Sequence, residues 1–104
     1  MANEITFFTP AYKIAQGVSE VMGSIEVDSY VQHSTSPVAG EDITGIFNKF
    51  SRQSIIAIVF EGDGIHECTI DRDNKKLILT VQASGAQATA GTDATIRFIA
   101  KGKG

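Results

Sequence analysis

Residues Ser54 to Ile70 read SIIAIVFEGDGIHECTI, and this stretch decides the fold class. Ile55 to Phe60 is an unbroken apolar run, so whichever way a strand lies here both of its faces are apolar; such a run reads as a strand in the middle of a sheet. Gly62-Asp63-Gly64 follows, and its glycines supply the positive φ that a tight hairpin demands. Ile65 to Ile70 then reads as the strand that pairs back. Two short strands around a turn point to an antiparallel β protein.

The next residues, Asp71-Arg72-Asp73-Asn74-Lys75-Lys76, resemble the opening of a calcium loop. Such a loop needs glycine at its sixth position and a bidentate glutamate at its twelfth, where this chain has Lys76 and Gln82. The segment is better read as a second hairpin connection, with Asn74 tolerating the left-handed conformation such turns need. Leu77 to Gln82 follows as a third strand, with Leu77, Leu79 and Val81 inward.

Upstream, Ser24 to Val31 (SIEVDSYV) alternates with period two, placing Ile25, Val27, Ser29 and Val31 on one face. Gln32 to Gly40 lacks periodicity and reads as a loop with an exposed tip. Glu41 to Phe50 carries Ile43, Ile46, Phe47 and Phe50 at i, i+3, i+4 and i+7, which predicts a helix whose apolar stripe caps the open side of a sheet. Glu41 and Asp42 in the first turn and Lys49 in the last suit the helix dipole, while Gly45 costs about 1 kcal/mol relative to alanine. Downstream, a small-residue, glycine-bearing loop at 83–94 precedes a last strand, Thr95 to Ala100, with Ile96 and Phe98 on one face and Arg97 and Ile99 on the other. The loops at 32–40 and 83–94 are candidates for ordering on binding. Ile5 to Ile14 (ITFFTPAYKI) is aromatic and β-branched but interrupted by Pro10, which bars a regular helix or a central strand. It reads as an extended arm. The expectation is therefore a mainly β protein: a compact antiparallel β-sandwich or barrel of five to six strands with one short helix, an extended N-terminal arm over residues 1–17 and a β-rich domain over 18–104.

The chain has 104 residues, enough for one hydrophobic core and too few for two. Its apolar content of 42% and charged content of 20% are ordinary for a folded domain, and a net charge of −3 removes the usual basis for binding nucleic acid through phosphates. Lys101 and Lys103 form the only basic cluster and read as a solvated tail. The longest apolar run, Ile55 to Phe60, falls far short of the ~20 residues of a membrane helix, so no membrane partner is expected. Met1-Ala2-Asn3-Glu4 lacks the features of a secretory signal, which implies a chain that stays in the compartment where it is made until it is assembled elsewhere. The single cysteine, Cys68, excludes an intramolecular disulfide and reads as a buried thiol.

Little in the chain is suited to turnover. His66 and Cys68 share one strand face at i, i+2, with His66 at the border of the core and Cys68 inside; His33 stands at a loop entrance. No second cluster supplies the three or four ligands of a zinc site. Gly62-Asp63-Gly64 leads into no helix, so it is no phosphate loop, and no Gly-x-Ser-x-Gly elbow is present. Paired acids at Glu41-Asp42 and Asp71/Asp73 serve as helix-start and turn residues. No catalytic residue, cofactor or metal is expected. An interaction role is favoured, in which a small sheet adds strands or arms across a boundary between subunits. The leading aromatics are too apolar to float free; they either close one end of the domain's own core or dock elsewhere. Ile5, Phe7, Phe8 and Tyr12 are the candidate interface residues.

Several segments, taken in order, resemble a family of small structural proteins of tailed bacteriophages encoded near the major capsid protein. These are VDSYV (Val27 to Val31) with the Pro and Gly loop after it, GEDITGIFNKF (Gly40 to Phe50), IIAIVFE (Ile55 to Glu61), IDRDNKKLIL (Ile70 to Leu79) and AGTDATIRFIAKGKG (Ala90 to Gly104). They cover roughly residues 18 to 104; the arm matches least well, and ECTIDRD stands where many relatives have an aromatic-acidic strand. The resemblance implies a virion protein that decorates or cements the outer capsid shell, a β-rich domain bound to the major capsid protein, with a homo-oligomer, in particular a trimer at local threefold positions, as the expected form. A small tail or neck (head-tail connector) protein of the same kind of virion is the alternative.

Overall fold

The computed structural model describes residues 3–103; Met1 and Ala2 of the arm and the closing Gly104 lie outside the described residues. In chain order the elements are β1 (Glu4–Phe7), β2 (Tyr12–Ala15), β3 (Val18–Val27), β4 (Ser34–Thr35), β5 (Val38–Ala39), β6 (Glu41–Asp42), α1 (Thr44–Phe47), β7 (Ile55–Glu61), β8 (His66–Asp71), β9 (Lys76–Val81) and β10 (Ala94–Lys103). The protein is mainly β with antiparallel sheets and one short helix. The described residues hold ten strands rather than five or six, because the arm contributes two and the loop before α1 three two-residue pieces.

Two long strands organise the molecule. β3 and β10 pair antiparallel without a break, from Val18 opposite Lys103 to Val27 opposite Ala94. Alternation does the rest. Val21, Ile25 and Val27 of β3 and Ala94, Ile96, Phe98 and Ala100 of β10 turn inward and are buried. Around this pair the larger sheet runs β1-β3-β10-β7, with β2 also on β3. The smaller sheet, β6-β9-β8, contributes Leu77 and Leu79, with Cys68, Ile70 and Val81 packed against the same core. Ile43, Ile46, Phe47 and Phe50 close one side.

The arm is extended and lies along β3. Glu4 to Phe7 runs opposite Glu26 to Gly23, Phe8 N–H donates to the Met22 carbonyl at 2.9 Å, and Tyr12 and Lys13 resume opposite Glu20 and Ser19. β1 and β2 are thus one edge strand broken at Thr9-Pro10, where proline has no N–H to give a ladder.

Several sequence expectations are corrected. β7 is an edge strand, not a central one: among the described strands it pairs with β10 alone. Its apolar character on both faces has another cause. Ile55, Ile58 and Phe60 serve the core, whereas Ile56 and Val59 lie on an exposed apolar face. Gly62-Asp63-Gly64 is not a hairpin but a crossover, since β8 pairs with β9 in the other sheet. The Asp63 carboxylate accepts the N–H groups of Ile65 and His66, at 2.9 and 2.8 Å, and turns the chain between the two sheets; Gly64 has the expected positive φ, 86°.

The predicted helix over 41–50 is reduced to Thr44–Phe47, and its apolar stripe is buried nonetheless. Beyond it, single turns continue the spiral, Lys49 N–H bonding the Ile46 carbonyl and Phe50 N–H that of Phe47. Glu41 and Asp42 do not lie in a first turn. They form β6 opposite Leu77 and Lys76, and Glu41 is spent on accepting the Val31 N–H at 2.6 Å and the Asn3 amide at 3.1 Å. Lys49 falls past the helix and holds its ammonium 4.4 Å from the centre of the Phe7 ring.

The strand expected at 24–31 runs from Val18 to Val27. Ser29 then takes φ = 62° and shifts the alternation by one, so that Tyr30 is buried and Val31 exposed. In the hairpin between β8 and β9 the left-handed residue is Lys75, φ = 56°, not Asn74, whose side chain donates to Asp71 at 2.8 Å. The basic end is no tail: β10 continues through Lys103, with both lysine side chains exposed and Gly102 buried between them. A Cβ on Gly102 would stand 2.4 Å from the Phe50 ring and 2.3 Å from the Ser54 carbonyl oxygen, so glycine here lets Phe50 lie flat on the strand.

The loops are tied to the body. Tyr30 donates its hydroxyl to the Gln87 amide oxygen at 2.7 Å and accepts the Leu79 N–H at 3.1 Å; the same Gln87 oxygen takes the His33 N–H. Ser29 N–H donates to Asp93 at 2.8 Å.

Candidate docking surface

In the larger sheet one face packs on the core and the other meets solvent. Directly opposed residues of neighbouring strands share a face, so the registers assemble a row across the outer side: Phe8 beside Met22, Met22 beside Ile99, Ile99 beside Val59. Phe8, Val59 and Ile99 are 58%, 67% and 40% exposed. This apolar row crosses four strands. Around it lies a shallow depression of about 320 Å³, floored by Gly23 and Phe98 and rimmed by Glu61 and Arg97, whose charged groups stand 3.4 Å apart.

The four residues proposed from sequence separate into two pairs. Ile5 and Phe7 are half-buried and turn to the chain's own core, where Phe7 meets Phe98 edge to face with ring centres 6.1 Å apart. Phe8 and Tyr12 turn outward. Tyr12 donates its hydroxyl to Glu20, and that bond, with some burial and the Glu20 charge, raises the phenol above its ordinary value. Sequence reasoning overlooked Met22 and Val59 as members of the surface; Ile99 was assigned its face, without any sign that nothing covers it.

The polar pairs elsewhere are structural. His66 shares the inner face of β8 with Cys68, but it is the more buried of the two. Its Nδ1 lies 2.8 Å from Asp63. Burial, reinforced by the Asp63 charge, pushes the Cys68 thiol up to about 12, so it stays protonated and is a poor nucleophile or metal ligand. Asp63 is held down to about 2: burial opposes this, but the His66 ring and two backbone N–H groups outweigh it. Asp71 is likewise lowered to about 2, by the Asn74 amide and then by His33, whose Nε2 lies 2.9 Å away. Among the described residues no three His, Cys, Asp or Glu side chains converge to hold a metal ion, and no helix is long and apolar enough to cross a membrane.

Comparison with known proteins finds no matching family model, no matching curated protein and no matching solved structure.

Proposed function

We propose that this protein is a virion structural protein of the capsid decoration type, one that binds the outer shell and stabilises contacts between major capsid protein subunits. The observation that carries the reading is the outward apolar row, Phe8, Met22, Ile99 and Val59, on a rigid sheet with a charged rim. Exposed apolar surface of this kind, rimmed by polar groups, marks protein contact sites. The sequence resemblance supplies the partner, and Phe8 and Tyr12 are the candidate residues that reach it, with Ile5 and Phe7 holding the strand that presents them.

Binding of the assembled shell, and not of free subunits, would stabilise the shell by linkage: one site filled at 100 times its Kd contributes about 2.7 kcal/mol, and the effect is repeated at every site. No catalytic group is required.

Phe8→Asp combined with Tyr12→Lys, which keeps a partner for Glu20 across the β2–β3 pair, tests the reading without removing β1. The variant should melt like the parent and lose at least about tenfold in occupancy on shells, as expected for an apolar anchor replaced by charge. Undiminished occupancy would discard the proposal.

A further inference from the structure

Among the described residues the larger and the smaller sheet expose four edges, and three carry devices that discourage pairing along their length. The β1–β2 edge is broken at Pro10 and bears Glu4 and Lys13. The β6 edge is two residues long. The β8 edge carries Glu67 and Asp71. β7 alone presents an uncharged apolar stretch, Ala57-Ile58-Val59-Phe60, with no proline. β7 is bulged at Ile56, and Arg72 reaches the Ile55 and Ile56 carbonyls at 3.3 and 3.4 Å; both features guard the start of the strand and nothing beyond.

The bond from Phe8 N–H to the Met22 carbonyl sets the alternation of the whole sheet. Even-numbered groups of β3 face β1, so the opposite set faces β10, and by the registers Val59 and Glu61 bond to β10 through Ile99 and Arg97. Ile58 and Phe60 therefore turn their N–H and C=O groups to the open edge.

We propose that this edge pairs with β7 of a second copy, antiparallel about a two-fold axis at Val59. Val59 then faces its counterpart, Ile58 exchanges backbone hydrogen bonds with Phe60 of the second copy, and Ala57 stands beside Glu61 of the second copy. The last of these pairings selects the occupant. On its other side Ala57 is flanked by Lys101, and a methyl group leaves the lysine free to cross it and meet the incoming carboxylate, twice by symmetry. The apolar row continues through the axis, from Phe8 of one copy to Phe8 of the other. Below the seam a groove of about 410 Å³, lined by the chain's own Ile58 and Phe60 with His66, Glu67, Cys68 and Gln82, lies beside Ile58 and Phe60 of the second copy. A one-residue slip would turn each apolar face to the wrong side. A two-residue shift would set Glu61 against Val59 or carry it past Ala57, so the Val59-centred register alone satisfies both the row and the charges.

The pairing is read in solution, without shells, and stands apart from the proposed function. Sedimentation of the full chain should show a concentration-dependent dimer. Val59→Cys, oxidised under mild conditions, should link 59 to 59 at least about tenfold faster than the control Thr95→Cys, because a non-hydrogen-bonded antiparallel pair brings the two backbones closest. Glu61→Lys and Lys101→Glu should each weaken association about fivefold, and the double variant should regain most of the loss, as expected for exposed complementary charges. A chain that stays monomeric at high concentration, a Val59→Cys variant that links no faster than the control, a trimer without the 59–59 link, or a double variant with no recovery would each overturn the pairing.

Discussion

The two edges of the larger sheet differ in how they end. At β1–β2 the chain closes the sheet with a broken strand: Ile5 and Phe7 face the core, Pro10 interrupts the ladder, and charges stand on the outside. At β7 it ends on an apolar strand that, past its bulge at Ile56, is bare on both its outer and its open side from Ala57 to Phe60. Both segments are rich in apolar residues. What separates them is where the apolar groups are spent, inward on one side and both ways on the other, and only the second leaves surplus surface for a partner.

Weakening the attachment of each edge tests this difference. The largest effect is expected at Gly102, which lies where β7 begins its pairing with β10. Gly102→Ala forces a carbon against the Phe50 ring and the Ser54 carbonyl, and overpacking of this kind should cost about 3 kcal/mol in denaturant unfolding. At the other edge, Phe7→Ala should cost about 2 kcal/mol, since the ring is half-buried against Phe98 and beneath Lys49. Its neighbour Phe8 points outward, and Phe8→Ala should stay within about 0.5 kcal/mol. Equal losses at Phe7 and Phe8 would mean that the arm does not lie in the register described. Val59→Lys should likewise leave stability within about 0.5 kcal/mol while giving β7 the guard it lacks, reducing association and aggregation in light scattering.

The same contrast explains what could be read in advance. Alternation tells which residues share a face, and it correctly turned Leu77, Leu79 and Val81 inward and split Ile96 and Phe98 from Arg97 and Ile99. It cannot tell which strand lies alongside. β7 finds its neighbour β10 more than thirty residues away, so an apolar run suited to a central strand could equally end a sheet. Gly62-Asp63-Gly64 has hairpin composition, but the Asp63 side chain caps the next strand and sends it to the other sheet. At Ser29 no glycine warns of the left-handed step that buries Tyr30. Within the candidate surface, the separation of Phe7 from Phe8 was available from their being adjacent in an extended segment, whereas Val59 and Ile99 joining Phe8 required the register of four strands.

The smallest effect concerns the strand that lies beneath the open edge. β8 is pinned at both ends by carboxylates, Asp63 before it and Asp71 at its close, each held at about 2 against an ordinary 3.8. A carboxyl group lowered by folding contributes its stabilisation fully above the unfolded value and loses it as protons bind the folded form. Stability from this source should therefore be intact at pH 5, fall as the pH drops through 4 and 3, and be gone only below about 2. Both groups lie near solvent, so the loss should be modest and should shrink with salt. Asp63→Asn combined with Asp71→Asn removes the two titrations, and its melting temperature should fall less steeply than the parent's between pH 4 and pH 2. A double variant that falls as steeply would place the acid sensitivity elsewhere, and the crossover between the sheets would then owe its hold to the backbone hydrogen bonds of β8 and β9 rather than to the charges at its ends.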